Sequence, residues 1–143
     1  MIKIIVSFSL LLMMSFSPTQ THGILGKWKT IDDATGKALS VVEIFESKGR
    51  VYGKVVEIFN QKNQKRCENC MGDDKNKPIL GLIVIKGLTR EGDGYGNGKI
   101  LDPKQGKLYK CNISLEGRDR LKVRGFIGIS LIGRTQIWER VKT

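Results

Sequence analysis

Lys107-Leu108-Tyr109-Lys110-Cys111-Asn112-Ile113-Ser114-Leu115-Glu116-Gly117-Arg118-Asp119-Arg120-Leu121-Lys122-Val123-Arg124-Gly125-Phe126 is the stretch whose reading decides the fold. Tyr109, Cys111, Ile113 and Leu115 fall on every second position, with Lys110, Asn112 and Ser114 between them. Beyond the polar turn Glu116-Gly117-Arg118-Asp119 the alternation resumes, with Leu121 and Val123 on one face and Arg120, Lys122 and Arg124 on the other. A period of two is that of a strand with one buried face. Slipping the second strand by one residue would bury three cations, so its register is strongly specified.

The same grammar extends in both directions. Seventeen glycines punctuate short runs of β-branched and aromatic residues, and no run keeps an apolar stripe at helical spacing for the length a helix needs. Strands are expected at Leu25 to Ile31, Leu39 to Ser47, Val51 to Phe59, Ile79 to Leu88, Gly98 to Leu101, Lys107 to Leu115, Arg120 to Phe126 and Arg134 to Val141. Lys48-Gly49 joins the second and third as a hairpin. Ile79 to Leu88 is almost wholly apolar, as in a strand covered on both faces. Glu91 to Asn97 reads as a glycine-rich turn, Asp102-Pro103-Lys104-Gln105-Gly106 as a tight turn, and Asn60 to Lys77 as a long polar loop. The expectation is an all-β, antiparallel, up-and-down meander of about eight strands, closed into a barrel so that no edge is left open.

The first 23 residues read as an export signal: Lys3 gives a positive start, Ile4 to Phe16 is apolar apart from three serines, and polarity then rises. The run is shorter than the roughly 20 apolar residues that span a bilayer and suits a signal peptide. Cleavage after Thr21-His22-Gly23 is preferred to cleavage after Ser15-Phe16-Ser17, where Pro18 would follow. The domains are then a signal at 1–23 and one barrel at 24–143, in a periplasmic or secreted protein whose mature chain has no transmembrane segment. No cysteine follows at lipoprotein distance, which speaks against a lipid anchor.

Lys plus Arg number 25 against 14 acidic residues, a net charge of +11. Removing the signal takes away only Lys3. Such a balance commonly marks nucleic-acid binding, but export argues against it, so the expected partners are anionic envelope components and not nucleic acid. His22 is the only histidine and would leave with the signal. That disfavours Ser-His-Asp and Cys-His catalysis and any His-ligated metal; no cofactor, metal or catalytic residue is assigned.

Several segments carry a family resemblance. Gly26-Lys27-Trp28 near the start, with Arg140 in Trp138-Glu139-Arg140 near the end, resembles the calycin superfamily of lipocalins, fatty-acid-binding proteins and avidins. In those proteins a late basic residue packs over the early Trp and closes one end of the barrel, so Gly26, Trp28 and Arg140 take a structural role by resemblance. The chain as a whole resembles the secreted bacterial family catalogued as domain of unknown function 2147 (DUF2147). The matching segments are Gly26-Lys27-Trp28, Pro78 to Leu82, Gly98 to Pro103 with Gly106-Lys107 and Tyr109, Leu121 to Phe126, and Gly133 to Gln136 with Trp138. The resemblance implies a calycin-like barrel and export, and brings no activity with it.

The remaining motifs have modest readings. Cys67-Glu68-Asn69-Cys70 in an exported protein suggests a local disulfide; pairing with Cys111, redox chemistry and zinc are the alternatives. Cys111 lies on the apolar face of its strand and reads as a buried thiol. Asp73-Asp74-Lys75-Asn76 with Glu68 lacks the spacing of a calcium loop. Asp102 before Pro103 is turn chemistry, and paired carboxylates could meet in space, for instance Glu43 with Glu57 across the hairpin at Lys48-Gly49. Gly125 to Gly133 is apolar where a polar turn would be expected, so it either plugs a barrel end or forms an exposed flap flanked by Arg124 and Arg134.

The leading functional expectation is a barrel that binds a small, mostly apolar molecule, lined by Trp28, Tyr52, Tyr109, Phe126, Arg134 and Trp138. A filled barrel acting as a basic interaction module at anionic envelope surfaces is the alternative, and an enzyme the third.

Overall fold

A computed structural model of the chain describes residues 23–60, 66–129 and 132–142. The expected signal, with His22, therefore lies outside the described residues apart from Gly23. Eight strands follow one another: β1 (Gly26–Ile31), β2 (Ala38–Ser47), β3 (Arg50–Ile58), β4 (Ile83–Glu91), β5 (Gly94–Asp102), β6 (Lys107–Glu116), β7 (Arg120–Phe126) and β8 (Gly133–Arg140). Each pairs with the next, and β1 pairs antiparallel with β8 through Trp28 opposite Arg140 and Lys29 opposite Glu139, which closes the barrel.

The β6–β7 register is the one the sequence demands. Ile113 stands opposite Val123 and Leu115 opposite Leu121, and Cys111, Ile113, Leu121 and Val123 are buried. The β2–β3 hairpin turns at Lys48-Gly49 with φ of 51° and 76°. Two successive positive φ values give the turn twist that right-handed strands prefer.

Two segments differ from expectation. β4 begins at Ile83, because Pro78 to Leu82 forms a turn in which Gly81 takes a φ of 91° and its N–H reaches Val55 O at 2.7 Å. β5 begins at Gly94, so the glycines read as a turn belong to a strand and only Gly92-Asp93 turns. A Cβ at Gly98 would come within 2.5 Å of Leu88 Cδ2 and of the Lys86 carbonyl, and one at Gly94 would strike the Ile113 carbonyl. These glycines let neighbouring strands and side chains close in.

The stretch from Ile79 does carry apolar residues on two faces, for a specific reason. Ile85 and its partner Ile100 alternate with Val84 and Leu101 on the outer face. Those outer residues are only 5% and 4% exposed. The β3–β4 connection supplies Cys67, Cys70, Ile79 and Leu82 to the same buried cluster. It is stitched by an Arg66–Pro78 bridge, by the Cys67 N–H donating to Lys77 O at 2.8 Å, and by Asn69 Nδ2 donating to Lys104 O at 3.1 Å. The loop read as merely polar is thus a cover over the wall of β4 and β5.

Candidate functional site

One end of the barrel is capped. Trp28 is completely buried, and its indole N–H donates to Ile24 O at 2.8 Å. The Arg140 guanidinium stacks over the Trp28 ring, 4.3 Å from its centroid. It also donates to Arg118 O at 3.0 Å, Gly23 O at 2.9 Å and Leu25 O at 3.4 Å, and lies 3.7 Å from Asp119. One planar, five-donor group therefore ties the amino-terminal segment, the β6–β7 turn and the last strand together. Gly26, beside it, has a φ of 124°, a backbone conformation that a side chain would strain.

Next to this cap the interior is packed with side chains, while towards the other end the inward-facing Ile58, Ile100, Tyr109 and Gln136 are only half-buried. Ile44, Ile85, Leu88, Ile113 and Leu121 are each no more than 2% exposed. Neighbours also fill the space beside Gly53, where a Cβ would lie 3.0 Å from both Ile85 Cβ and Val42 Cγ1. Cys111, between Gly98 and Gly125 on the flanking strands, is free and buried, and burial pushes its thiol up to about 12. A thiol so protonated is a poor nucleophile.

The residues expected to line a cavity are spread over three environments. Trp28 and Trp138 sit in the core, Trp138 donating to Gln136 Oε1 at 3.2 Å. Tyr52 is on the outer wall, stacked on Phe45 with ring centroids 5.9 Å apart. Phe126 lies opposite Lys110 on the outer face. Tyr109 and Arg134 are at the end opposite the cap; Tyr109 donates to Gln105 Oε1 at 3.3 Å, and Arg134, 68% exposed, pairs with Asp33 at 2.5 Å. Arg124 donates to Thr135 Oγ1 at 3.0 Å.

The other motifs resolve as local chemistry. Cys67 and Cys70 form a disulfide with Cα atoms 5.3 Å apart. Asp74 is held by Lys86 at 2.8 Å. Asp102 Oδ1 accepts the N–H groups of Lys104 at 3.0 Å and Gln105 at 3.4 Å, an Asx turn. Glu43 does not meet Glu57: the register sets it between Lys27 and Lys54, while Glu57 stands opposite Val41. The two-residue turn at Lys48-Gly49 sets this register from Ser47 opposite Arg50, and a bulge at Val41–Val42 then shifts it by one residue.

Two features of the surface stand out. A mostly apolar groove of about 260 Å³ runs between the β3–β4 cover and the end opposite the cap, lined by Met71, Leu101, Leu108, Tyr109 and Ile127 with Lys107 and the Lys86-paired Asp74 beside them. On the outer wall, Lys86, Lys99 and Lys110 stand directly opposite one another on β4, β5 and β6. The β6 alternation points to Lys110, but the row emerges only when the strand registers are known.

Eight antiparallel strands in chain order, closed between first and last and sealed at one end by a Trp–Arg stack, define a lipocalin-like barrel. The chain belongs to the family described as uncharacterized protein conserved in bacteria (DUF2147), whose pattern matches residues 26–140. Among solved structures it is similar to protein HP1028 from the human pathogen Helicobacter pylori, which belongs to the lipocalin family; the identity is 21%, 82% of each chain is covered, and the TM-score is 0.72. That likeness is one of fold. No curated protein matches the chain.

Proposed function

We propose that this chain is an exported, filled barrel that works through its outer surface, as a basic interaction module at anionic surfaces of the cell envelope. The observation that carries the reading is the packing next to the cap: Trp28, Ile44, Ile85, Leu88, Ile113 and Leu121, from strands around the barrel, are buried, and neighbours fill the space beside Gly53 and Gly98. Barrels of this size either hold a small ligand or fill their interior with side chains, and the packing favours the second. The net positive charge and the lysine row supply the attraction. Like charges directly opposite on a sheet destabilise it; Asp74 compensates Lys86, and an anion lying over Lys99 and Lys110 relieves the cost of that pair. None of the described helical segments is long and apolar enough to cross a membrane.

The test is binding of protein recovered from an export fraction to anionic vesicles and to a soluble acidic polysaccharide, over a range of salt. Binding at low salt that fades as ionic strength rises is expected, because the screening length shrinks from about 10 Å to about 3 Å between 0.1 and 1 M salt. Protein that stays off both surfaces at low salt would overturn the reading.

A second reading keeps a small, mostly apolar ligand but moves it outside. The groove by Leu101, Leu108 and Ile127 favours it, with Lys107 placed to meet an acidic end. Its volume falls below the roughly 300–1,000 Å³ of common ligand pockets, which ranks this reading second.

A further inference from the structure

We infer that the barrel end opposite the Trp28–Arg140 cap docks on the surface of an anionic lipid bilayer, an inference that rests on the outer-surface reading above. Nine large apolar side chains are exposed among the described residues. Only Leu25 is at the capped end. Leu39, Phe59, Met71, Leu80, Leu108, Ile127, Ile129 and Ile132 all belong to the strand ends and connections of the opposite end. Isolated exposed apolar residues are ordinary, but a distribution confined to one end of a closed barrel gives the molecule a direction.

Residues 127–129 and 132 of the β7–β8 connection, here called the tip, lie at that end. Ile127, Ile129 and Ile132 are 60%, 62% and 64% exposed. The tip is internally hydrogen-bonded, with the Ile127 N–H donating to Ile132 O at 3.0 Å and the Ile132 N–H donating to Ile129 O at 3.1 Å. Its backbone partners are thus partly satisfied within the connection, which lowers the cost of entering a layer poor in water. Lys110 of the lysine row donates to Gly128 O at 3.3 Å, so the row begins directly above the tip. Lys107 is next to Leu108 in the groove that Ile127 lines. Apolar residues at the leading end with cations a short way behind match a bilayer, whose phosphates lie outside its hydrocarbon. The apolar residues are also spread over separate connections around the rim. A fluid surface can meet all of them together, whereas a rigid partner would need a fitted ring.

The experiment is cosedimentation of export-purified protein with vesicles of phosphatidylcholine alone and of phosphatidylcholine mixed with phosphatidylglycerol. A soluble acidic polysaccharide serves as the non-lipid polyanion. Wild type is compared with Ile127→Ser/Ile129→Ser/Ile132→Ser and with Lys99→Gln/Lys107→Gln/Lys110→Gln, each checked by thermal melting for an intact barrel. The expected result is binding to the phosphatidylglycerol vesicles that is tighter than binding to the polysaccharide, and none to phosphatidylcholine alone. The isoleucine variant should then lose at least about tenfold in affinity, and the lysine variant about fivefold for each charge removed at low salt. Vesicle binding that the isoleucine substitutions leave unchanged, or binding confined to the polysaccharide, would overturn the bilayer inference while leaving the basic-surface reading intact. Binding to neither polyanion would overturn both.

Discussion

Replacing Arg140 by Ala should be among the most damaging single changes on this barrel, and the structure sets its size. The guanidinium stacks on a fully buried Trp28 at 4.3 Å and donates to three backbone carbonyls, those of Arg118, Leu25 and Gly23. A cation over an aromatic ring contributes about 0.5–2 kcal/mol depending on desolvation. Hydrogen bonds from a charged donor contribute about 1.5–3 kcal/mol each when buried, and here water can replace part of them. The Asp119 contact at 3.7 Å, with Asp119 45% exposed, adds little. The net loss is therefore about 2–4 kcal/mol, a fall in melting temperature of roughly 3–5 °C per kcal/mol for a domain of this size. Arg140→Lys keeps a charge but loses the planar fork, and should lie between the two. Chemical denaturation followed by tryptophan fluorescence reads all three proteins. An Arg140→Ala variant within about 0.5 kcal/mol of wild type, the scatter of ordinary surface substitutions, would refute the argument that this residue closes the barrel end.

Four further outcomes follow from the packing. Gly98→Ala should destabilise by about 1–3 kcal/mol in a urea melt, because two of the atoms its Cβ would strike are backbone atoms of Lys86 and Gly87 that cannot rotate away. Cys111 should resist a maleimide at pH 8 until the protein unfolds; and because its thiol is raised from 9.0 to about 12, its contribution is complete below pH 9 and is lost as pH rises toward 12, a slope that Cys111→Ala should remove at about 1.4 kcal/mol per pH unit. Asp33→Ala should cost no more than about 1 kcal/mol, since the Arg134 pair is exposed on both sides. Cys67→Ser/Cys70→Ser should cost about 2 kcal/mol on the loop-entropy estimate for so short a closure.

The sequence carries the barrel most legibly where one face is apolar and the other charged. Ile113, Leu121 and Val123 face inward as their alternation requires, and Lys48-Gly49 turns as its composition suggests. The Trp28–Arg140 closure was legible only through family resemblance, since 112 residues separate the pair. What stayed hidden was decided by neighbours far along the chain. Gly94 looks like a turn residue in one dimension and Gly98 like the first residue of a short strand; the lack of a side chain at both is required by Ile113, Leu88 and the Lys86 carbonyl across the sheet. Gly87, at a φ of 67°, marks a bulge that puts Ile85 and Leu88 on the same inner face despite their odd spacing. Glu43 and Glu57 are kept apart by the register of the two-residue turn, which puts Glu43 opposite Lys54. The apolar stretch after Gly125 was visible as an anomaly, but its place among eight exposed apolar residues at one end depends on which connections the closed topology brings together.

The filled interior is the claim on which the rest turns, and native mass spectrometry of protein purified gently from an export fraction tests it most directly. The account predicts the mass of the bare polypeptide, unchanged by extraction with organic solvent. A reproducible additional mass that extraction removes would contradict it, and would return a small apolar ligand to the centre of this protein's function.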